Sequence, residues 1–243
     1  MIDLERRRDI ATLFGDALAV FFRHAPVFIA LSAAVAVPAT LIVQGFGLEQ
    51  LTASYDASPA LAQALIPTIV GFLVVSPLIT AICIHALRSV AVGGRPGARE
   101  SLVAGFEAFA PLFFAVLLAA AGIAIGLIAF ILPGIYLAVR WYFVPQAVVI
   151  EGERGPAALG RSNQIVQGFW WRTFGLVVLI NLAAAIPALV FTAPFTAIAA
   201  STDRAIWSMI GTICSECVTT PFVALFSTLL YYDLLARRTA AAM

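Results

Sequence analysis

FAPLFFAVLLAAAGIAIGLIAFILPGIYLAVRWYFVPQAVVI, residues 109–150, carries a single charged side chain, Arg140. A hydrocarbon core of about 30 Å is crossed by about 20 apolar residues of helix, so this run is long enough to cross twice. Leu132-Pro133-Gly134 supplies a turn signal inside it, because proline ends one helix and glycine tolerates the reversal. The stretch predicts a tight membrane hairpin.

The rest of the chain has the same character. Of its 243 residues 62% are hydrophobic and 11% charged, whereas about a quarter of residues are charged in soluble domains. Six spans are expected, at 25–43, 61–87, 109–132, 135–150, 173–191 and 206–235. The expected fold class is all-α: one polytopic membrane domain over residues 1–243, its six helices arranged as three hairpins.

Arg6, Arg7 and Arg8 precede an apolar stretch, which raises the question of a signal peptide. Asp16 interrupts that stretch and no small-residue cleavage site follows. Ile10, Leu13, Phe14, Ala17, Leu18, Phe21 and Phe22 recur at one-face helical spacing, so residues 1–23 read as an interfacial amphipathic helix. Short helices of this kind are expected before each odd span, over 5–22, 98–107 and 156–168. Similar junctions follow them: Phe21-Phe22-Arg23-His24-Ala25-Pro26, Phe106-Glu107-Ala108-Phe109-Ala110-Pro111 and Phe169-Trp170-Trp171-Arg172-Thr173-Phe174. Each even span carries a proline, Pro77, Pro145 or Pro221, and the whole reads as a threefold repeat.

Every cationic residue is arginine, and the wealth of alanine accompanies GC-rich bacterial coding. In the six-span arrangement, Arg6, Arg7, Arg8, Arg23, Arg88, Arg95, Arg99, Arg154, Arg161, Arg172, Arg237 and Arg238 fall on one side. The other side has Arg204 beside Asp203, and a loop over 44–60 with Glu49 and Asp56. The positive-inside rule then predicts a bacterial inner-membrane protein with both termini cytoplasmic. Near-neutral net charge and the lack of a basic patch interleaved with aromatics argue against nucleic acid as a partner.

Arg140 and Glu216 are the ionisable groups expected inside the hydrocarbon, where a lone charge costs at least ~2.5 kcal/mol. If their helices touch, an ion pair would offset part of each cost. The pair could equally fix helix register or form a substrate site, and Arg140 could instead snorkel outward. Asn181, Gln146 and His85 read as interhelical hydrogen-bonding residues. Cys214 and Cys217 share a helical face, but no second pair of ligands accompanies them, so no metal site is expected. His24 and His85 are the only histidines, and no nucleophile, base or phosphate-binding loop can be grouped. The expectation is no catalytic residue, no cofactor and no enzyme. In the polar segment 151–172, Leu159, Ser162 and Val166 share a face with Trp170, while Arg161 and Arg172, with Trp170 and Trp171, are candidates for contact with lipid headgroups.

Leu132-Pro133-Gly134, Arg140, Pro145, Glu151, Ala158-Leu159, Arg161-Ser162, Gly168 and Trp170-Trp171-Arg172 occur in order, followed by Tyr231-Tyr232-Asp233-Leu234 and Arg237. In this second half the chain resembles the bacterial membrane domain associated with glycerophosphoryl diester phosphodiesterases and related six-helix membrane proteins. The resemblance implies a helical membrane module and transfers no catalytic residue, since no soluble phosphodiesterase domain can be found in the sequence. Two functions follow as expectations: a non-enzymatic module engaging membrane lipids, a partner protein or a second copy of itself, or a transporter or channel with Arg140 and Glu216 at its site. An intramembrane lipid hydrolase is a weaker third.

Overall fold

The computed structural model describes residues 6–44, 53–56, 61–94 and 96–241. Glu49, Arg95 and the first five residues lie outside them. Among the described residues all regular structure is helical.

The chain forms α1 (Ile10–Arg23), α2 (Ala25–Gln44), α3 (Leu61–Val70), a π-helical turn (Gly71–Val75) and α4 (Ser76–Ala91). It continues through α5 (Ala98–Glu107), α6 (Phe109–Ala129), α7 (Ile131–Arg140) and α8 (Val144–Glu151). α9 (Pro156–Val166), α10 (Trp170–Thr202) and α11 (Ala205–Ala241) complete it. Five helices among the described residues are long and apolar enough to cross a membrane: Ala25–Val43, Leu65–Ala91, Phe109–Ala129, Trp170–Thr202 and Ala205–Ala240.

The expected fourth span, 135–150, is not one helix. It is split into α7 and α8 at Trp141–Phe143, and neither piece spans about 30 Å at 1.5 Å per residue. Pro145 explains the position of the break, since its ring clashes with the carbonyl four residues earlier, that of Trp141. Ser162 of α9 satisfies both groups the break exposes: its Oγ accepts from the Phe143 N–H (3.1 Å) and donates to the Arg140 carbonyl (2.8 Å). The reversal between α6 and α7 also falls earlier than expected. The chain turns at extended Phe130, and Pro133 sits in the first turn of α7, where its missing N–H leaves no bond unmade. Gly134 serves close packing and not the turn, because a Cβ there would lie 2.7 Å from the Leu127 nitrogen.

The expected fifth span also differs, running on past residue 191 to Thr202 through Pro187 and Pro194. Hydroxyls of Thr192 and Thr196 donate to carbonyls one turn earlier along this stretch. Asp203 ends α10 in the left-handed conformation.

Short helices lead into α2, α6 and α10 through breaks at His24, Ala108 and 167–169. His24 (φ −122°, ψ 22°) and Phe169 (φ −122°, ψ 21°) adopt the same backbone geometry. α1 starts where the Asp9 carboxylate accepts the Thr12 N–H and the Asp9 backbone N–H donates to the Thr12 hydroxyl in return. Its apolar face turns inward: Leu13, Ala17, Val20 and Phe21 are buried, with Phe14 against Phe226 and Phe21 against Phe222 of α11. α11 is the central pillar, far more of its residues being buried than those of α10. It packs on α10, α2, α4 and α1. α4 is closed in on most sides from Pro77 to Leu87.

Candidate functional site

The polar residues concentrate where the segment before α1, the end of α8, α9, the start of α10 and the end of α11 come together. Asp233, on α11, has no exposed surface. Its Oδ1 accepts the backbone N–H of Arg8 (2.7 Å), and its Oδ2 accepts Arg172 Nη2 (3.0 Å) and Arg237 Nε (2.9 Å). The Arg8 carbonyl accepts from the same two guanidinium groups. Arg8 is itself buried, and its Nε donates to Asp16 (2.9 Å). One carboxylate therefore fastens the segment before α1, the start of α10 and the end of α11 to one another. Arg237 is one helical turn beyond Asp233, the spacing at which opposite charges meet.

A second cluster lies beside it. Arg161 of α9 pairs with Glu151 through Nε and through Nη2 (3.0 Å), and the Tyr231 hydroxyl also donates to Glu151. Burial pushes the Glu151 carboxyl up, but the hydrogen bonds from Arg161 and Tyr231 outweigh it and hold it below its ordinary value.

The candidate lipid contacts divide between these clusters and the surface. Arg161 and Arg172 are both engaged with carboxylates, Glu151 and Asp233. Trp170 is half-buried, stacked between Tyr136 and Phe174, and its Nε1 donates to the Tyr136 carbonyl. Trp171 is 78% exposed. The two tryptophans, with Leu132, Pro133, Ile135 and Tyr136, line an open apolar groove.

Arg140 and Glu216 are not brought together, and no ion pair joins them. Arg140 lies with its guanidinium carbon 4.8 Å from the centre of the Tyr136 ring. Glu216 faces α2 and α3 in a narrow crevice with Thr40, Pro67 and Thr212. α7 packs on α6 and α10, so the two charges lie on different flanks of the bundle.

Gln146 makes the interhelical hydrogen bond expected of it, its Nε2 donating to Ser227 Oγ of α11 (2.9 Å) with both residues buried, whereas the junction of Asp233 with Arg8 was not foreseen. Asp233 and Arg237 are four apart, a signal that could have been read. Among the described residues no three His, Cys, Asp or Glu side chains converge on a metal-sized space.

Long apolar helices around a carboxylate-centred arginine cluster define a multi-helix membrane protein. Residues 58–234 match the model of a family described as a domain of unknown function, DUF7847, and the chain belongs to that family. No curated protein and no solved structure matches it.

Proposed function

We propose that the chain is a non-enzymatic module of a bacterial inner membrane that engages lipid headgroups, and beside them a partner protein or a second copy, at its arginine-rich end. One observation carries this reading. Arg7, Arg23, Arg88, Arg99 and Arg154 are exposed at the end where Asp233 gathers Arg8, Arg172 and Arg237, while the opposite end of the described chain has Arg204. Exposed Phe22, Phe106 and Trp171 accompany them. Basic residues near an anionic leaflet contribute about 1 kcal/mol each, and aromatic rings settle at the headgroups. The same asymmetry supports cytoplasmic termini.

In this reading α7 and α8 together make a broken fourth crossing, which brings the total to six, and complete the second hairpin with α6. The contact of Glu151 with Tyr231 supports the return of the chain to the arginine-rich end. The resemblance to phosphodiesterase-associated membrane domains fits such a module. A transporter built on Arg140 and Glu216 as one site gains less from the geometry, since the two residues lie apart.

Two measurements test the proposal. An impermeant maleimide should label Gly93→Cys and Ala53→Cys from opposite sides of the membrane, and labelling from one side refutes the orientation. Native mass spectrometry should show less co-purified anionic lipid when Arg23, Arg99 and Arg154 are changed together to Gln. Unchanged lipid retention refutes the headgroup role.

A further inference from the structure

We infer that the cleft between α6 and α10 binds an uncharged membrane lipid whose polar end is a hydroxyl, an inference that rests on the chain being a lipid-embedded module. α10 packs along α11 and meets α7 near its first turn, but shares no packed interface with α6 or α4. The gap is floored by α4 and α11 and closed at the arginine-rich end by the break between α7 and α8. It holds a hollow of ≈ 360 Å³ whose lining includes the polar side chains of Ser76, Thr80, Tyr142, Gln146, Asn181 and Ser227 and the indole of Trp141. The hollow shares Ser76, Thr80, Asn181 and Val223 with a second, of ≈ 300 Å³.

Gln146 makes this a site and not a packing defect. Its side chain belongs to a residue 2% exposed, and its Oε1 has no hydrogen-bond partner. Gln146 Nε2 donates to the Ser227 hydroxyl (2.9 Å), which in turn donates to the Ala224 carbonyl (3.0 Å). Oε1 is therefore the free atom, and a buried amide oxygen without a donor is costly. Three donors nearby are already committed. Thr80 donates to the Ser76 carbonyl, Thr219 to the Ser215 carbonyl, and Asn181 Nδ2 to the Val177 carbonyl. Beside the free Oε1, the hollow is lined by the Ser76 and Tyr142 hydroxyls and by Trp141 Nε1, which have donors to give, so a hydroxyl head, able both to donate and to accept, suits it.

No charged side chain lines either hollow. A phosphate would find no cation there, and an ammonium no carboxylate, which selects an uncharged head. The volume suits a head and the first carbons of its chains. The chains would leave sideways between α6 and α10, where Phe72 and Asn181 are exposed.

The test uses the whole chain in nanodiscs with a photoactivatable diacylglycerol, and a photoactivatable phosphatidic acid of the same chains as the charged comparison. Diacylglycerol should label peptides of α6 and α10, and unlabelled diacylglycerol should compete. Gln146→Leu, which keeps the volume and removes one acceptor, should cut labelling about five- to tenfold. Ala120→Trp, which fills the hollow from the α6 wall, should abolish it. Labelling unchanged in a folded Gln146→Leu or Ala120→Trp protein overturns the inference. So does phosphatidic acid labelling that is equally strong and equally competed, or a hollow that takes up water and neither lipid. The Arg23, Arg99 and Arg154 variant should leave diacylglycerol labelling intact, so loss of the rim reading and loss of this site are separable.

Discussion

Asp233→Asn is the substitution that discriminates most sharply between a structural keystone and an ordinary surface ion pair. The carboxylate is fully buried and accepts three donors, two of them guanidinium groups whose side chains are 24% and 26% exposed. Asparagine keeps one oxygen for the Arg8 N–H, but its amide hydrogens would face Arg172 and Arg237. Two charge-assisted hydrogen bonds are lost, each worth about 1.5–3 kcal/mol, and part is regained because water reaches both arginines. The net cost is about 3–5 kcal/mol, the range for breaking a buried pair from one side. Denaturation by titrated SDS in mixed micelles measures it, and proteolysis near residue 8 should accelerate in parallel, because Arg8 is held by the same carboxylate. Combining Asp233→Asn with Arg172→Gln should cost less than the sum of the single changes. A loss under about 1 kcal/mol, the scale of an exposed pair, would refute the keystone reasoning.

Three further outcomes follow from the geometry. Ser162→Ala leaves the Phe143 N–H and the Arg140 carbonyl without partners at the α7–α8 break and should cost about 1–3 kcal/mol in the same titration. Gly134→Ala forces a methyl group against the Leu127 backbone and should cost about 1–3 kcal/mol, a loss that Gly160→Ala, with open space around it, should not show. Because the folded Glu151 carboxyl is held low, its stabilising contribution is fully present above the ordinary carboxylate range and is lost as pH falls through the depressed folded value. Stability measured against pH should lose that acid-side step in Glu151→Gln, and a variant with an unchanged profile would dismiss the Arg161 and Tyr231 contacts as its cause.

The long apolar helices were legible because hydrocarbon demands length and apolarity, which composition displays directly. Arginine spacing likewise marked the end at which Arg8, Arg172 and Arg237 meet. Boundaries were harder to read where polar side chains compensate each other. Residues 192–202 look like a loop, yet threonine hydroxyls bonded within the helix and a tolerated proline, Pro194, carry α10 through them. Arg140 and Glu216 invited a pairing because both are costly in lipid, but a helix order does not say which flank of α11 each partner faces. Arg161 and Arg172 read as candidates for headgroup contact because both sit in a polar segment beside tryptophans. The structure brings Glu151 and Asp233 within closer reach, across sequence separations of 10 and 61 residues that local pattern does not reveal.

Proline placement ties the architecture to the cleft. Pro77 follows the π-helical turn Gly71–Val75, and Pro145 follows the break at Trp141–Phe143. A proline inside a helix forfeits a backbone bond and crowds the preceding turn, so the chain widens or breaks just upstream of each. Both irregularities border the same hollow, which is lined by Phe72, Ser76 and Pro77 on one side and Trp141, Tyr142 and Pro145 on the other. Straight helices packed at 8–10 Å would leave little room there. The break also turns α8 so that Gln146, which lines the hollow, reaches Ser227 and keeps an amide oxygen without a donor. The space and its unspent acceptor therefore share one origin: two prolines that the bundle accommodates by local deformation, with Ser162 supplying the compensating bonds at one of them.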